Sequence, residues 1–221
     1  HYIDRTTPRR VPLSTGVILC MMAVLLTPQL TDTSQWNISE RISEPGSTRF
    51  FFGRSGVVGV DKEGSVYWDG LWHSELITTP GGHIDSFNWW MAAAPVLAHP
   101  TGEIHHAAIV GMGTGITAGS LAPLGSLERI DAYEINHTLQ QVFDEYPEGT
   151  LHSATDKKVN LIWQDARSGL SLNEQRYDVI TTAPLYLKQA GAGLLNAVET
   201  FEVVRSHLKP GGIACVFSWG T

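Results

Sequence analysis

Three glycines and one acidic residue have the spacing of a nucleoside-binding site. The glycines are Gly111, Gly113 and Gly115, and Glu134 follows the last of them by 19 positions. Glycine has no Cβ, so the backbone can turn tightly and come close to a bound nucleoside. A carboxylate at the end of the next strand is placed to accept hydrogen bonds from ribose hydroxyls. A dinucleotide fingerprint would have glycine or alanine where this chain has Ile116, so the pattern favours an S-adenosyl-type nucleoside over NAD.

The elements that must position these residues alternate between strands and helices. The sequence predicts strands near 106–111, 128–134, 159–164, 177–182 and 212–218, and helices near 115–123, 136–145 and 194–208. This alternation is typical of a doubly wound, Rossmann-like α/β fold of the S-adenosylmethionine-dependent methyltransferase type, with a parallel sheet and helices on both faces. Ligands of such sheets bind at the carboxyl ends of the strands.

A small antiparallel β-hairpin subdomain is predicted ahead of this fold, over residues 49–80. Short β-type runs are separated there by Gly and Asp turn residues, which is typical of hairpins. Residues 85–97 are predicted to form a helix that bends or ends near Pro95, and the nucleoside-binding domain covers residues 81–221. The sequence begins without Met and stops just past the last predicted strand. We therefore expect a fragment whose last domain is truncated at its C-terminus.

The N-terminal region, residues 1–30, contains a stretch without charges from Val11 to Leu30. A membrane-spanning helix needs about 20 largely apolar residues, so a transmembrane helix is predicted, followed by a linker over residues 31–48. A signal peptide is one alternative, although Thr27–Gln29 offers no small-x-small cleavage site. A buried or interfacial helix is the other. We expect a membrane-anchored protein whose soluble domain is cytoplasmic.

Composition disfavours two classes of partner. The net charge is −7 and no basic block is longer than Arg9–Arg10, whereas nucleic-acid binding needs clustered Lys and Arg. The nine histidines and two cysteines show no metal-ligand spacing, so no metal is expected.

Taken in order, the motifs resemble those of the polyamine aminopropyltransferase (spermidine synthase-like) family, most closely its bacterial members fused behind transmembrane helices. The resemblance covers roughly residues 40–219. It is carried by the segments 53–57, 66–70, 99–100, 109–115, 132–134, 164–167, 177–180 and 208–212.

The resemblance implies that decarboxylated S-adenosylmethionine is the co-substrate and that its aminopropyl group is transferred to a polyamine. It implies that Gly111, Gly113, Gly115 and Glu134 hold the nucleoside and that Asp165 contacts the adenine amine. The alternative role for Asp165 is to cap the next turn. A homodimer is a candidate assembly.

The chain departs from the family where a proton acceptor is expected. After the fourth strand the family has an aspartate that helps to deprotonate the attacking amine, and this chain has Ala183 there. Losing a general base typically lowers a rate by about 10²–10⁴-fold, so weak or absent catalysis is expected. Tyr186 and Asp85 are weak candidates for a catalytic role; the alternatives are a packed loop aromatic and a helix N-cap. Asp178, at the start of the fourth strand, is interpreted as structural.

Two other functions stay open. An S-adenosylmethionine-dependent methyltransferase would share the fold and the glycine loop, but the fourth strand lacks the Asn/Asp-Pro-Pro-Tyr signature of amine methyltransferases. A non-catalytic nucleoside-binding domain of a membrane protein is favoured by Ala183.

Overall fold

A computed structural model describes residues 48–78, 87–182 and 192–217. They all belong to the unit Glu44–Thr221, one of the two into which the chain divides. The predicted membrane segment, residues 31–47 of the predicted linker, and the site candidates Asp85, Ala183 and Tyr186 lie outside the described residues. Within the described ranges, no helix is long and apolar enough to cross a lipid bilayer.

The first part of the fold is an antiparallel sheet with the strand order β1-β2-β3-β4. Its strands are β1 (Thr48–Gly53), β2 (Gly56–Asp61), β3 (Ser65–Trp68) and β4 (Leu71–Glu75). Asp61 stabilises the β2–β3 turn, because its Oδ1 accepts hydrogen bonds from the backbone nitrogens of Glu63 and Ser65 at 3.0 and 2.8 Å. The predicted hairpins are therefore present, and β4 extends them by a strand that the sequence analysis did not predict.

The second part is a five-stranded parallel sheet with the order β7-β6-β5-β8-β9. Its strands are β5 (His106–Val110), β6 (Arg129–Glu134), β7 (Val159–Trp163), β8 (Tyr177–Thr182) and β9 (Leu208–Val216). The helices are α1 (Phe87–Ala98), α2 (Ile116–Leu121), α3 (Leu139–Glu145), α4 (Ala166–Ser171), α5 (Ala192–Leu195) and α6 (Val198–His207).

The sheet is covered on both faces, as the buried residues of β5 show. Ala107 and Ile109 belong to a core that includes residues of α2 and α3 and the inner face of the antiparallel sheet. Ala108 and Val110 point the other way, into a core that includes residues of α4 and α6. Alternate side chains of one strand thus enter two cores, because successive Cβ atoms of a strand point to opposite faces. The predicted α/β fold with a parallel sheet is confirmed.

Further elements, besides the strand β4, differ from the sequence-based prediction. The helix α1 continues past Pro95 to Ala98, with Pro95 buried where α1 packs against α2, β8 and β9. The short helix α4 was not predicted, because six residues are too few to show a helical hydrophobic period. The strand β9 begins at Leu208, which pairs with Tyr177 before the register shifts, so the strand starts ahead of the predicted position 212.

Candidate functional site

The residues singled out by sequence meet at the carboxyl edge of the parallel sheet. Strands β5 to β8 run parallel, so the segments that follow them lie at the same edge. The glycine loop (Gly111–Gly115) follows β5, Glu134 ends β6, Asp165 follows β7 and Thr182 ends β8. The structure therefore brings the glycine loop, Glu134 and Asp165 to one edge, and their contact with a ligand stays a prediction.

The glycine loop has a backbone that only glycine adopts readily. Gly111, Gly113 and Gly115 have φ angles of 86°, 55° and 77°, in the left-handed region that a Cβ disfavours. A Cβ at position 115 would also overlap the Ser153 hydroxyl. The backbone nitrogens of Gly111 and Met112 donate to the carbonyl oxygen of Tyr133 at 3.1 and 2.9 Å. The start of the loop is thereby fixed to β6, directly beside Glu134.

Glu134 is a buried carboxylate, 5% exposed, that binds the backbone on two sides. Its Oε2 accepts a hydrogen bond from the Gly113 nitrogen at 2.9 Å and its Oε1 accepts one from the Asn136 nitrogen at 2.8 Å. Burial raises the pKa of Glu134 above its usual range, and hydrogen bonds from the backbone nitrogens of Asn136, Gly113 and Ile135 oppose that rise. A carboxylate has about four lone-pair positions, and the backbone nitrogens of Gly113, Ile135 and Asn136 occupy three of them, so about one is left for a ligand hydroxyl.

Asp165 caps the helix α4. Its Oδ1 accepts hydrogen bonds from the backbone nitrogen of Ser168 at 2.9 Å and from the Ser168 hydroxyl at 2.8 Å. This is the capping role that the sequence left open as the alternative to an adenine contact. Oδ2 has no hydrogen-bond partner among the described residues. Capping therefore leaves one oxygen for a ligand amine, and the adenine contact stays a prediction.

His73 is a site residue that the sequence analysis did not identify. Its Cε1 atom lies 3.2 Å from the position that a Cβ on Gly113 would occupy, so the imidazole covers the glycine loop. Burial lowers the pKa of His73 to about 4. The ring is consequently neutral at pH 7 and can donate one hydrogen bond and accept another. Because His73 and Gly113 are far apart in sequence, no local pattern could have revealed this contact.

The β1–β2 turn lies against the segment that follows Glu134. The Ser55 hydroxyl donates to the Ile135 carbonyl oxygen at 3.4 Å, and the Thr138 hydroxyl donates to the Gly56 carbonyl oxygen at 3.2 Å. Ile135 itself is 53% exposed. The antiparallel sheet thus contacts the site from two directions, through this turn and through His73.

Asp178 lies at the opposite edge of the sheet. Its Oδ2 accepts hydrogen bonds from the backbone nitrogens of His105 and His106 and from Lys209 Nζ, each at 2.9 Å. Burial raises the pKa of Asp178, but these donors outweigh burial and leave the pKa below its usual range. The carboxylate is committed to joining β5, β8 and β9, as its structural interpretation expected.

The end of β8 marks the region where the attacking amine is expected. Thr182 is buried, and its carbonyl oxygen accepts a hydrogen bond from the Phe217 nitrogen at 3.0 Å. The Phe217 ring stacks on Phe87 of α1 with 4.7 Å between centroids. Ala183 follows Thr182 directly, and its role, like those of Asp85 and Tyr186, stays a prediction. In the part of the chain that the structure describes, no group of three or more His, Cys, Asp or Glu could hold a metal ion.

Comparison with known proteins places the chain near one group of enzymes. No family model matches the sequence. The chain is 32% identical over 124 residues to a probable polyamine aminopropyl transferase of Bifidobacterium longum, covering 56% of this chain and 26% of that protein. It is 32% identical over 124 residues to polyamine aminopropyltransferase 1 of Pseudomonas aeruginosa, covering 54% and 41%. The chain thus spans less than half the length of these relatives.

Solved structures share the fold. A spermidine synthase in complex with the transition-state analogue AdoDATO superimposes with a TM-score of 0.65 at 16% identity, covering 76% of this chain and 56% of that one. Spermidine synthase from Thermotoga maritima gives 0.62 at 14% identity, covering 76% and 54%. Together with the curated relatives, these structures confirm the predicted resemblance to polyamine aminopropyltransferases.

Replacing Glu134 with alanine should weaken nucleoside binding, because the ribose would lose a charged acceptor. We expect the dissociation constant for methylthioadenosine, measured by calorimetry at pH 7, to rise about tenfold or more. Glu134→Gln tests the charge with nearly unchanged shape. Glu103→Ala, which removes an exposed glutamate, is the control. Unchanged affinity in a folded Glu134→Ala protein would remove Glu134 from the site.

The neutral state of His73 predicts a loss of stability on acidification. Between the unfolded pKa of 6.5 and the folded pKa of about 4, only the unfolded chain takes up the proton, so the free energy of unfolding falls as pH falls. The loss from pH 7 to pH 5 should be about 2 kcal/mol. Urea denaturation at pH 7 and pH 5 measures this loss. In His73→Gln the loss in the free energy of unfolding should be smaller than in wild type by that amount.

A matched control for this measurement is His152→Asn. His152 is exposed with a φ angle of 53°, a conformation that asparagine tolerates. This variant should keep the wild-type pH dependence. If His73→Gln also keeps the wild-type pH dependence, protonation of His73 does not cause the loss of stability.

Proposed function

We propose that this chain is the nucleoside-binding part of a polyamine aminopropyltransferase that takes decarboxylated S-adenosylmethionine as co-substrate. The observation that carries the proposal is the buried Glu134 carboxylate, which holds Gly113 and has about one lone-pair position left for a ribose hydroxyl. The antiparallel sheet that contacts the same loop supports it, because an N-terminal hairpin sheet is a feature that favours this family over methyltransferases. The curated relatives, named as polyamine aminopropyltransferases, support it as well.

The proposed reaction is a single displacement at carbon. The nitrogen lone pair of the acceptor amine forms a C–N bond to the aminopropyl carbon beside the sulfonium, and the C–S bond breaks with its electron pair left on sulfur. The products are methylthioadenosine, a neutral thioether, and an extended secondary ammonium; the one proton released is the proton that the acceptor ammonium loses to a base or to water before it attacks. His73 is neutral at pH 7, so it does not repel a cationic nucleoside bound on the loop.

Deprotonation of the acceptor amine is the step of this reaction for which the present chain lacks the expected residue. An alkylamine has a reference pKa of about 10.4, so at pH 7 it must lose a proton before it can attack. Ala183 cannot accept that proton. We therefore propose slow or absent transfer near neutral pH, with a non-catalytic nucleoside-binding domain as the second candidate function, favoured by the same alanine.

Membrane attachment through residues 11–30 is a further part of the proposal. It rests on the uncharged length of this stretch. The nucleoside-binding domain is proposed to face the cytoplasm, where its co-substrate would be made, and a homodimer stays a candidate assembly.

Introducing a carboxylate at position 183 should raise the transfer rate. Ala183→Asp would place a proton acceptor beside the amine, and the gain should approach the roughly 10²–10⁴-fold typical of a general base. The measurement is methylthioadenosine release from decarboxylated S-adenosylmethionine and putrescine, wild type against variant, across pH 6 to 10. Ala183→Asn, which adds bulk and polarity without a base, is the matched control.

The outcomes of this assay separate the candidate functions. Brisk wild-type turnover at pH 7 would show that another residue is the base. Undetectable turnover in both proteins, with methylthioadenosine still bound, would favour the non-catalytic domain. Methyl transfer from intact S-adenosylmethionine would instead favour the methyltransferase alternative.

Membrane attachment predicts that the chain fractionates with lipid. We expect the intact protein in the membrane fraction, with extraction by detergent but not by high salt, because burial of apolar surface and not charge would hold it there. A chain lacking residues 1–30 should move to the supernatant. Recovery of the intact chain without detergent as a monodisperse species would contradict the proposal.

A further inference from the structure

The strand β4 carries an irregularity beside the glycine loop. Val66 pairs with Ser74 and Tyr67 pairs with Trp72, so His73 is an extra residue with no partner in β3. Such a β-bulge re-aims side chains and occurs often next to functional sites. In a regular strand, consecutive side chains point to opposite faces.

The bulge turns two consecutive side chains of β4 toward consecutive residues of the glycine loop. The His73 ring lies over Gly113. The Ser74 Oγ lies 3.1 Å from the Thr114 Oγ1, and either hydroxyl can be the donor. A regular strand could not make both contacts, so the bulge is the local feature that allows β4 to contact the glycine loop at two consecutive residues.

The Ser74–Thr114 pair belongs to a longer chain of buried hydrogen bonds. Asn88 of α1 donates its Nδ2 to the Ser74 Oγ at 2.9 Å. The Thr117 hydroxyl donates to the Asn88 carbonyl oxygen at 3.0 Å. All four residues are buried, between 2% and 9% exposed. A buried polar group without a hydrogen-bond partner destabilises the fold, and a buried hydrogen bond is stronger than one in water. Each of these side chains therefore fixes the orientation of the next one.

We propose that Ser74, Thr114 and Asn88 are positioning residues that hold the glycine loop in its nucleoside-binding conformation. Thr114 stands between Gly113 and Gly115, whose φ angles are both left-handed. Its anchored side chain restricts the backbone between these two glycines, and the Gly113 N–H donates to Glu134. Without the anchor, a loop with three glycines has many accessible conformations, and nucleoside binding would have to order it.

This series of hydrogen bonds also connects the helix α1 to the glycine loop. Asn88 donates to the serine that anchors Thr114. A substitution at Asn88 should therefore reach nucleoside affinity through Ser74. The residue before it, Phe87, stacks on Phe217 at the end of β9, so α1 joins the loop to the edge where the acceptor amine is expected.

The inference rests on the proposed nucleoside site, so the test uses two readouts. The first is the calorimetric dissociation constant for methylthioadenosine in wild type, Ser74→Ala, Thr114→Val and the double variant. Each single variant should bind about tenfold more weakly, and the double variant should be no weaker than the worse single one, because both remove one interaction. Thr114→Ser, which keeps the hydroxyl, should restore binding. Asn88→Ala should weaken it in the same direction.

The second readout is amide hydrogen exchange of the ligand-free protein. The Gly113 amide should exchange at least about fivefold faster in Ser74→Ala than in wild type, with the amides of β5 unchanged. Ser65→Ala is the matched control, since Ser65 is a buried serine in the neighbouring strand β3. It should change neither exchange at Gly113 nor affinity.

The two readouts separate the two claims. Wild-type protein that fails to bind methylthioadenosine, with faster Gly113 exchange in Ser74→Ala, contradicts the proposed function and supports the anchor. Normal binding and unchanged Gly113 exchange in Ser74→Ala overturn the anchor alone. Additive losses in the double variant would also overturn it. If Ser74→Ala does not fold, Thr114→Val carries the same comparison.

Discussion

The burial of the Glu134 carboxylate is the constraint on which the site depends. A buried carboxylate is stable only when its oxygens are hydrogen-bonded, and here the donors are the backbone nitrogens of Gly113 and Asn136. One of these belongs to the loop after β5 and the other to the segment after β6. A single side chain therefore fixes two strand ends relative to each other. The left-handed glycines are required because no other backbone brings the Gly113 N–H to this carboxylate without strain.

The antiparallel sheet completes this arrangement from outside the parallel sheet. Its β1–β2 turn contacts the segment after Glu134, and its bulged strand β4 contacts the glycine loop. The sheet also contributes Phe51, Val58 and Val60 to the core shared with α2 and α3. Apolar burial thus holds the hairpins in place, and polar contacts at their edge set the geometry of the loop. The parallel sheet provides the glycine loop and Glu134, and the antiparallel sheet, which comes first in the sequence, covers them.

Sequence predicts the parts of this fold whose signals are local. The apolar run before Gly111 and the acid that ends the next strand sufficed to place both at one sheet edge. The bulge at His73 could not be predicted, because Leu71–Glu75 shows no alternation and a bulge depends on which residue its partner strand offers. Asp165 illustrates an intermediate case. An acid before a short helix has the same sequence whether it caps the helix or reads a ligand, and only the contact with Ser168 distinguishes the cap.

Binding and catalysis depend on different kinds of structure in this chain. The groups proposed to bind the nucleoside lie at strand ends. Hydrogen bonds to neighbouring strands, and the buried hydrogen bonds among Thr117, Asn88, Ser74 and Thr114, hold them in place. In the proposed function the proton acceptor is expected at position 183, beyond β8, whereas hydrogen bonds with Gly113, Asn136 and Thr114 position Glu134 and the glycine loop. If the proposed function is right, nucleoside binding and proton transfer depend on different residues of this chain, so a carboxylate introduced at position 183 would act on the transfer step and not on the side chains that hold the glycine loop.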